Sequence, residues 1–297
     1  MAPFSALPYT AKLPIFLAFA MPFRPVRALI ALTAACLVFS GCGRQPAESV
    51  GAAVAAETGG IATAGKGAGF AWSIRFPALR PQWQALDTAI HDYADASKRE
   101  FLQASAANDR VKDLEYSLDM TFSVARRTAD FVSVTATGSS FTGGAHGTPI
   151  VASFNLDLNG NKLVTLGDLF GDPATAFKAL SDECRRQLEG RHAAKMRDDP
   201  DGMTPAQLAA DAESTKKWVD EGTAPTPESF GTFLIDGLDT KAIGVTVIFP
   251  PYQVAPYADG TQQVEVPAKV FYDLLKPEYK DAFAIDTQAR QLGAGVR

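Results

Sequence analysis

An α+β fold, with an antiparallel sheet and packed helices, is what three features of this 297-residue chain predict. The run Leu114, Tyr116, Leu118, Met120, Phe122, Val124 alternates strictly with more polar neighbours, as a half-buried antiparallel strand does. Trp83, Leu86, Ile90, Tyr93 and Phe101 fall near a 3.6-residue period, the mark of an amphipathic helix. Strands and helices are also partly segregated along the chain, which argues against a strictly alternating parallel design.

The elements follow in order. Residues 70–76 (FAWSIRF) alternate apolar with small or polar side chains and form a strand ahead of the helix. Residues 131–141 and 150–158 are two further strands, joined by the loop Thr142-Gly143-Gly144-Ala145-His146-Gly147. Asn159-Gly160-Asn161 is a tight turn into Lys162-Leu163-Val164. A second half starts near residues 165–170, with helices over about 173–197 and 204–222. Thr204-Pro205 supplies the cap and first turn of the latter. Strands return at 232–235, 243–249 and 264–266, a short helix covers 268–275, and residues 288–297 read as a frayed end. The length fits one large or two small domains.

The N-terminal region reads differently. Residues 21–46 (MPFRPVRALIALTAACLVFSGCGRQP) place two arginines before an apolar run that ends at Ser40-Gly41-Cys42. These are the parts of a secretory signal over 1–41, with Met21 the more natural start. The cysteine after two small residues makes it resemble a bacterial lipoprotein signal, which implies acylation of Cys42 and anchorage in a membrane. The apolar run 28–41 is shorter than the roughly 20 residues a spanning helix needs. Gly43, where an aspartate would favour retention at the inner membrane, points to the outer membrane and the periplasmic side of the envelope. Residues 42–69 lack aromatics and amphipathic period, so they read as a tether reaching on the order of 30 Å.

Charge and cysteine usage narrow the partners. The formal charge is −5, and loss of 1–41 would remove Lys12, Arg24 and Arg27 but no acid, making it −8. An acidic surface disfavours nucleic acid and favours cationic partners. Cys36 leaves with the signal and Cys42 takes lipid, so Cys184 has no disulfide partner and reads as a buried thiol.

His146 is the sharpest candidate for chemistry, because glycines around it allow close backbone approach. As a general base it would act beside Ser139, Ser140 or Thr142. A triad also needs an orienting acid and an oxyanion hole, and the sequence carries no nucleophile-elbow pattern. The alternative is that His146 holds its own loop by hydrogen bonding to nearby backbone. His91 and His192 stand alone on expected helices, and no spaced histidines or paired cysteines predict a metal. Asp198, Asp199 and Asp201 lack the pattern of a calcium loop and read as a solvated acidic stretch. No cofactor is expected. In residues 249–260 (FPPYQVAPYADG), Tyr252 and Tyr257 are rigid amphipathic side chains on proline-ordered backbone, the composition of a recognition surface. Packing of those rings onto a sheet is the competing reading.

Two segments carry a resemblance. One is residues 141–147 (FTGGAHG), followed by Phe154-Asn155-Leu156-Asp157-Leu158 and 163–170 (LVTLGDLF); the other is 249–260, leading into Val264-Glu265-Val266-Pro267. Together they resemble the extracytoplasmic region of RsiV-type anti-sigma factors and the non-catalytic N-terminal module of PdaC-type peptidoglycan deacetylases, over about residues 70–276. The resemblance implies a two-part α+β fold, with similar-sized sub-domains over 70–160 and 161–276 and a tail over 277–297, and, from RsiV-type members, binding of lysozyme. The sequence lacks the sigma-binding segment and span of the former and the metal-binding deacetylase module of the latter. The expectation is a non-enzymatic lipoprotein whose head binds a lysozyme-like wall hydrolase or toxin through His146, Thr142, Tyr252, Pro256 and Tyr257, as inhibitor or immunity protein. Binding of peptidoglycan itself, and a hydrolase built on His146, are the alternatives.

Overall fold

The computed structural model describes residues 60–107, 114–198, 202–237 and 240–285. The expected signal, Cys42, the first part of the tether, Asp199, Asp201 and residues 288–297 lie outside the described residues.

The α+β class holds, built on two sheets. The first has six strands: β1 (Ile61–Gly67), β2 (Phe70–Phe76), β3 (Tyr116–Arg127), β4 (Phe131–Phe141), β5 (Thr148–Asp157) and β6 (Lys162–Leu163), in sequence order across the sheet. Helix α1 (Gln84–Ala107) connects β2 to β3, and that pair alone among these strands is parallel. A crossover helix carries the chain back to the starting end, so the next strand must run the same way. The second sheet pairs β7 (Phe233–Asp236), β8 (Gly244–Phe249) and β9 (Gln262–Pro267), all antiparallel. It is preceded by the helices α2 (Pro173–Asp198) and α3 (Pro205–Gly222) and followed by the short α4 (Pro277–Lys280).

Local chemistry sets several boundaries. Thr204 caps α3 with its side chain while Gln207 reaches back to the Thr204 N–H, and Pro205 occupies the first turn. The same reciprocal bonding joins Thr165 and Asp168 around a short 3-10 turn that opens the second half.

Three expectations change. The tether was expected to run to Gly69, yet Ile61–Gly67 pairs antiparallel with β2 along its whole length. That strand is exposed almost throughout, so backbone ladder bonds rather than burial hold it, which its composition cannot signal. The expected helix over 268–275 is two 3-10 turns, Ala268–Val270 and Tyr272–Leu274. Leu274 O accepts from Gly171 N–H and Lys276 N–H donates to Leu169 O, so this stretch pairs with residues 169–171 instead of completing a helix. The tail beginning at 277 is core in its first part: Tyr279, Ala282 and Phe283 are buried, and Ala242 bridges to Phe283.

Two hydrophobic clusters result. One lies between α1 and the first sheet, where Trp83, Leu86, Ile90 and Phe101 meet Ile74, Leu118, Met120, Phe122, Val132 and Val134. The other gathers Phe177, Leu180, Cys184 and Leu188 of α2 against Val245, Val247, Phe249, Val264 and Val266, with Phe230, Phe271 and Phe283. Phe131 sits on β4 yet belongs to the second cluster, because alternate residues of β4 face away from α1.

Between the clusters the contact is polar and satisfied. Ser133 donates to Asn155 Oδ1 at 2.6 Å, Asn155 Nδ2 donates to Phe233 O at 3.0 Å, and Ile235 N–H donates to Ser133 Oγ at 3.1 Å. Phe233 N–H donates to Ser153 Oγ at 2.8 Å. Side chains of the first sheet thus serve the backbone of β7, which lies across its face. Buried Asp236 of β7 accepts from Thr246 at 2.6 Å and from Arg126 Nε at 3.0 Å. Burial raises the Asp236 carboxyl above the usual range, with Thr246 and Arg126 opposing.

Candidate functional site

The two segments singled out in sequence converge. His146 stacks on Tyr257 with ring centroids 4.0 Å apart and planes 20° apart, and Tyr252 lies 6.3 Å from His146 and 5.5 Å from Tyr257. Tyr252 Oη is 3.3 Å from His146 Nε2, while His146 Nδ1 is 3.0 Å from Gly147 O. A carbonyl only accepts, so in the neutral ring Nδ1 carries the proton and Nε2 receives the Tyr252 hydroxyl. Tyr257 Oη also approaches Gly147 O, at 3.5 Å.

Each side chain has a local reason to be there. Gly143 and Gly144 take positive φ (104° and 106°), which lets the chain turn between β4 and β5 and bring His146 back over the loop. Tyr252 itself has φ of 73°, a strained conformation for a non-glycine residue. Its neighbour fixes it: Gln253 Nε2 donates to both Gly222 O and Ser229 O at 2.9 Å, and Val254 is buried. Gly222 permits this approach, since a Cβ there would stand 1.9 Å from Gln253 O. Residues 253 and 254 are thus clamped to the end of α3, and Tyr252 is left 42% exposed.

Thr142 is half-buried just after β4, and Pro256 is exposed next to Tyr257 in sequence. Pro256 lines a different hollow, of about 440 Å³, between α2, α3 and residues 254–262. There His192 Nε2 lies 2.9 Å from Asp211 Oδ2 and 3.4 Å from Thr215 Oγ1. The Asp211 approach is close enough for an ion pair with a protonated ring, but its direction makes no hydrogen bond. Arg191 and Trp218 share this lining. Burial lowers the Arg191 guanidinium below its usual value. Sequence alone offered no route to the His192–Asp211 contact, because it joins two helices whose mutual register only packing sets.

The remaining candidates are structural. Cys184 is fully buried, and burial pushes its thiol up to about 12, far from a thiolate nucleophile. His91 stacks on Phe76 at 4.1 Å and lies 3.7 Å from Asp87, with its side chain still 46% exposed. Among the described residues no carboxylate bonds to His146, and no group of three or more His, Cys, Asp or Glu side chains is placed to hold a metal ion. No helix among them is long and apolar enough to cross a membrane.

Residues 167–269 match the family described as "Protein of unknown function (DUF3298)". The chain is 25% identical over 213 residues to the peptidoglycan-N-acetylmuramic acid deacetylase PdaC of Bacillus subtilis (strain 168), covering 71% of this chain but only 40% of that protein. The shared part is the N-terminal region of PdaC, outside its catalytic domain. Two crystal structures are similar. One is a DUF3298 family member from Bacteroides fragilis, with 16% identity, TM-score 0.48, and coverage of 74% of this chain and 94% of that one. The other is a DUF3298 family protein from Pseudomonas aeruginosa PAO1, with 19% identity, TM-score 0.49, and coverage of 73% and 92%. The matched stretch, residues 167–269, runs from the 3-10 turn capped by Thr165 to the first 3-10 turn after β9.

Proposed function

We propose that this chain is a non-enzymatic binding module of the cell envelope, lipid-anchored through Cys42, whose His146–Tyr252–Tyr257 patch docks a lysozyme-like wall hydrolase. The observation that carries this reading is the patch itself. Two loops more than a hundred residues apart meet as one aromatic surface, and its exposed tyrosine, Tyr252, sits on strained backbone. Rigid aromatic anchors bury much area for little conformational entropy, which is why they dominate binding energy at interfaces. The bonding of His146 supports binding over catalysis: one ring nitrogen is engaged by Gly147 O and the other by Tyr252, with no acid to orient a base. The negative formal charge suits a cationic partner.

Calorimetric titration of the full chain with c-type lysozyme tests this. Micromolar or tighter binding is expected, weakened at least tenfold by Tyr252→Ala. Binding no tighter than millimolar at physiological salt overturns it. The relationship to a peptidoglycan deacetylase favours one second reading, in which the patch stacks on wall glycan. Co-sedimentation with purified sacculi, lost in Tyr252→Ala while lysozyme fails to bind, selects that alternative.

A further inference from the structure

The outer edge of β5 is open along most of its length and ends at the aromatic patch. β6 pairs with β5 only at Leu156↔Leu163 and Asp157↔Lys162, leaving residues 148–154 with β4 on one side and, among the described residues, no strand on the other. Strand parity follows from two independent facts. Pro149, opposite Ser139, has no N–H to give β4, which suits a non-hydrogen-bonded pair. Val164 N–H donates to Asn155 O at 2.9 Å, which turns the odd-numbered residues outward. Val151 and Ser153 therefore present both N–H and C=O away from the sheet. Pro149 O continues that row, and just ahead of the strand Gly147 O is the carbonyl met by His146 and Tyr257. The free edge and the patch form one continuous surface.

The side chains beside this edge are also of one kind. Ile150, Ala152 and Phe154 are only partly buried against the first core, forming an apolar shoulder on the α1 side, where Phe154 meets Tyr93 at 5.5 Å. On the opposite face stand Val151 and Ser153. An incoming strand would meet apolar surface on one face and mixed surface on the other. The opposite edge of the sheet is different: β1 carries Gly65, Lys66 and Gly67 and is exposed on both faces, a composition that resists pairing.

We propose that β5 takes an extended segment of the partner protein as an added strand, its main chain bonded to Val151 and Ser153 and an aromatic or long apolar residue at its end packed on the His146–Tyr252–Tyr257 rings. This rests on the docking role given to the patch and adds the mode of recognition: main-chain pairing for affinity, with alternating apolar and polar side chains for specificity. A second copy of this chain suits the edge less well. A two-fold axis at Ala152, which would pair Val151 with Ser153, would set Pro149, which lacks an N–H, opposite Asn155, whose carbonyl Val164 already occupies, and would carry each patch to the β6 end.

The test is residue-resolved amide hydrogen exchange on the full chain, with two probes: c-type lysozyme, and a synthetic octapeptide of alternating threonine and valine ending in tyrosine. Exchange at Val151 and Ser153 is expected to slow at least tenfold with either probe. Val151→Pro removes one outward N–H without touching the bonds to β4, as Pro149 already does, and is expected to weaken binding at least tenfold, while Val151→Thr leaves it unchanged. Slowing by the peptide alone keeps the edge and discards the hydrolase partner. Lysozyme binding that Val151→Pro does not alter keeps the partner and discards the edge. No slowing with either probe overturns strand addition. Slowing that depends on the chain's own concentration, with no probe present, assigns the edge to a second copy and overturns it equally.

Discussion

The core under α1 and the core under the α2–α3 hairpin are built on different logic. The first is made of neighbours: strands β2 to β5 alternate along their own sequence, and one long helix covers the apolar face they create. The second is collected from distant places, taking Phe131 from the first sheet, Phe230 from a loop, and Tyr279 and Phe283 from beyond the last strand. Cores built by local periodicity tolerate loss at their edges. One assembled from scattered contributors depends on each of them, and on the polar seam that seats β7 on the first sheet.

That contrast has measurable consequences. Phe131→Ala removes a ring that touches Tyr279 at 5.9 Å and Phe283 at 5.8 Å. A loss of about 3–5 kcal/mol is expected in urea unfolding. If the loss is under about 1 kcal/mol, the second core does not depend on the first sheet in the way described. Asn155→Ala strands the Ser133 hydroxyl and Phe233 carbonyl in the seam, and about 2 kcal/mol should follow. Ser73→Ala, which loses an exposed bond to Asp119, should change stability by under about 0.5 kcal/mol.

Asp236 sharpens the picture of the seam through pH. Its folded-state carboxyl lies above the usual value, so its contribution to stability is greatest in acid, below the unfolded value. That contribution is lost as pH rises through the folded value. Removing the titration with Asp236→Asn adds a constant offset from the unpaired Arg126, but the slope is diagnostic. The stability of the variant minus that of the wild type should grow from acid toward neutral pH. A difference that shrinks instead would mean Arg126 outweighs burial. Gln253→Ala is expected to cost about 1 kcal/mol of stability. Its sharper signature is a weaker docking of partner as Tyr252 loses its fixed backbone.

Much of the architecture was legible because side-chain period is a local property. The boundaries of β4 and the cap of α3 at Thr204 follow directly from alternation and from capping chemistry. The elements that escaped are those held by something other than their own side chains. Ile61–Gly67 is a strand only because β2 offers a ladder, and residues 268–275 give up helical bonds to pair with 169–171. At the candidate site, the composition of residues 142–147 and 249–260 marked both loops as unusual. Their meeting could not be read, since no periodicity relates residues that far apart.

Amino-acid order thus set the alternating strands, the amphipathic α1, the caps and the glycines that let the His146 loop turn, each through rotamer, dihedral or hydrogen-bond preferences acting within a few residues. Folding in three dimensions set the rest: which loops face each other, which face of β4 receives the second core, and which edge of β5 stays unpaired. Those outcomes depend on burial and long-range pairing, whose energies exist only once distant segments have been brought into contact.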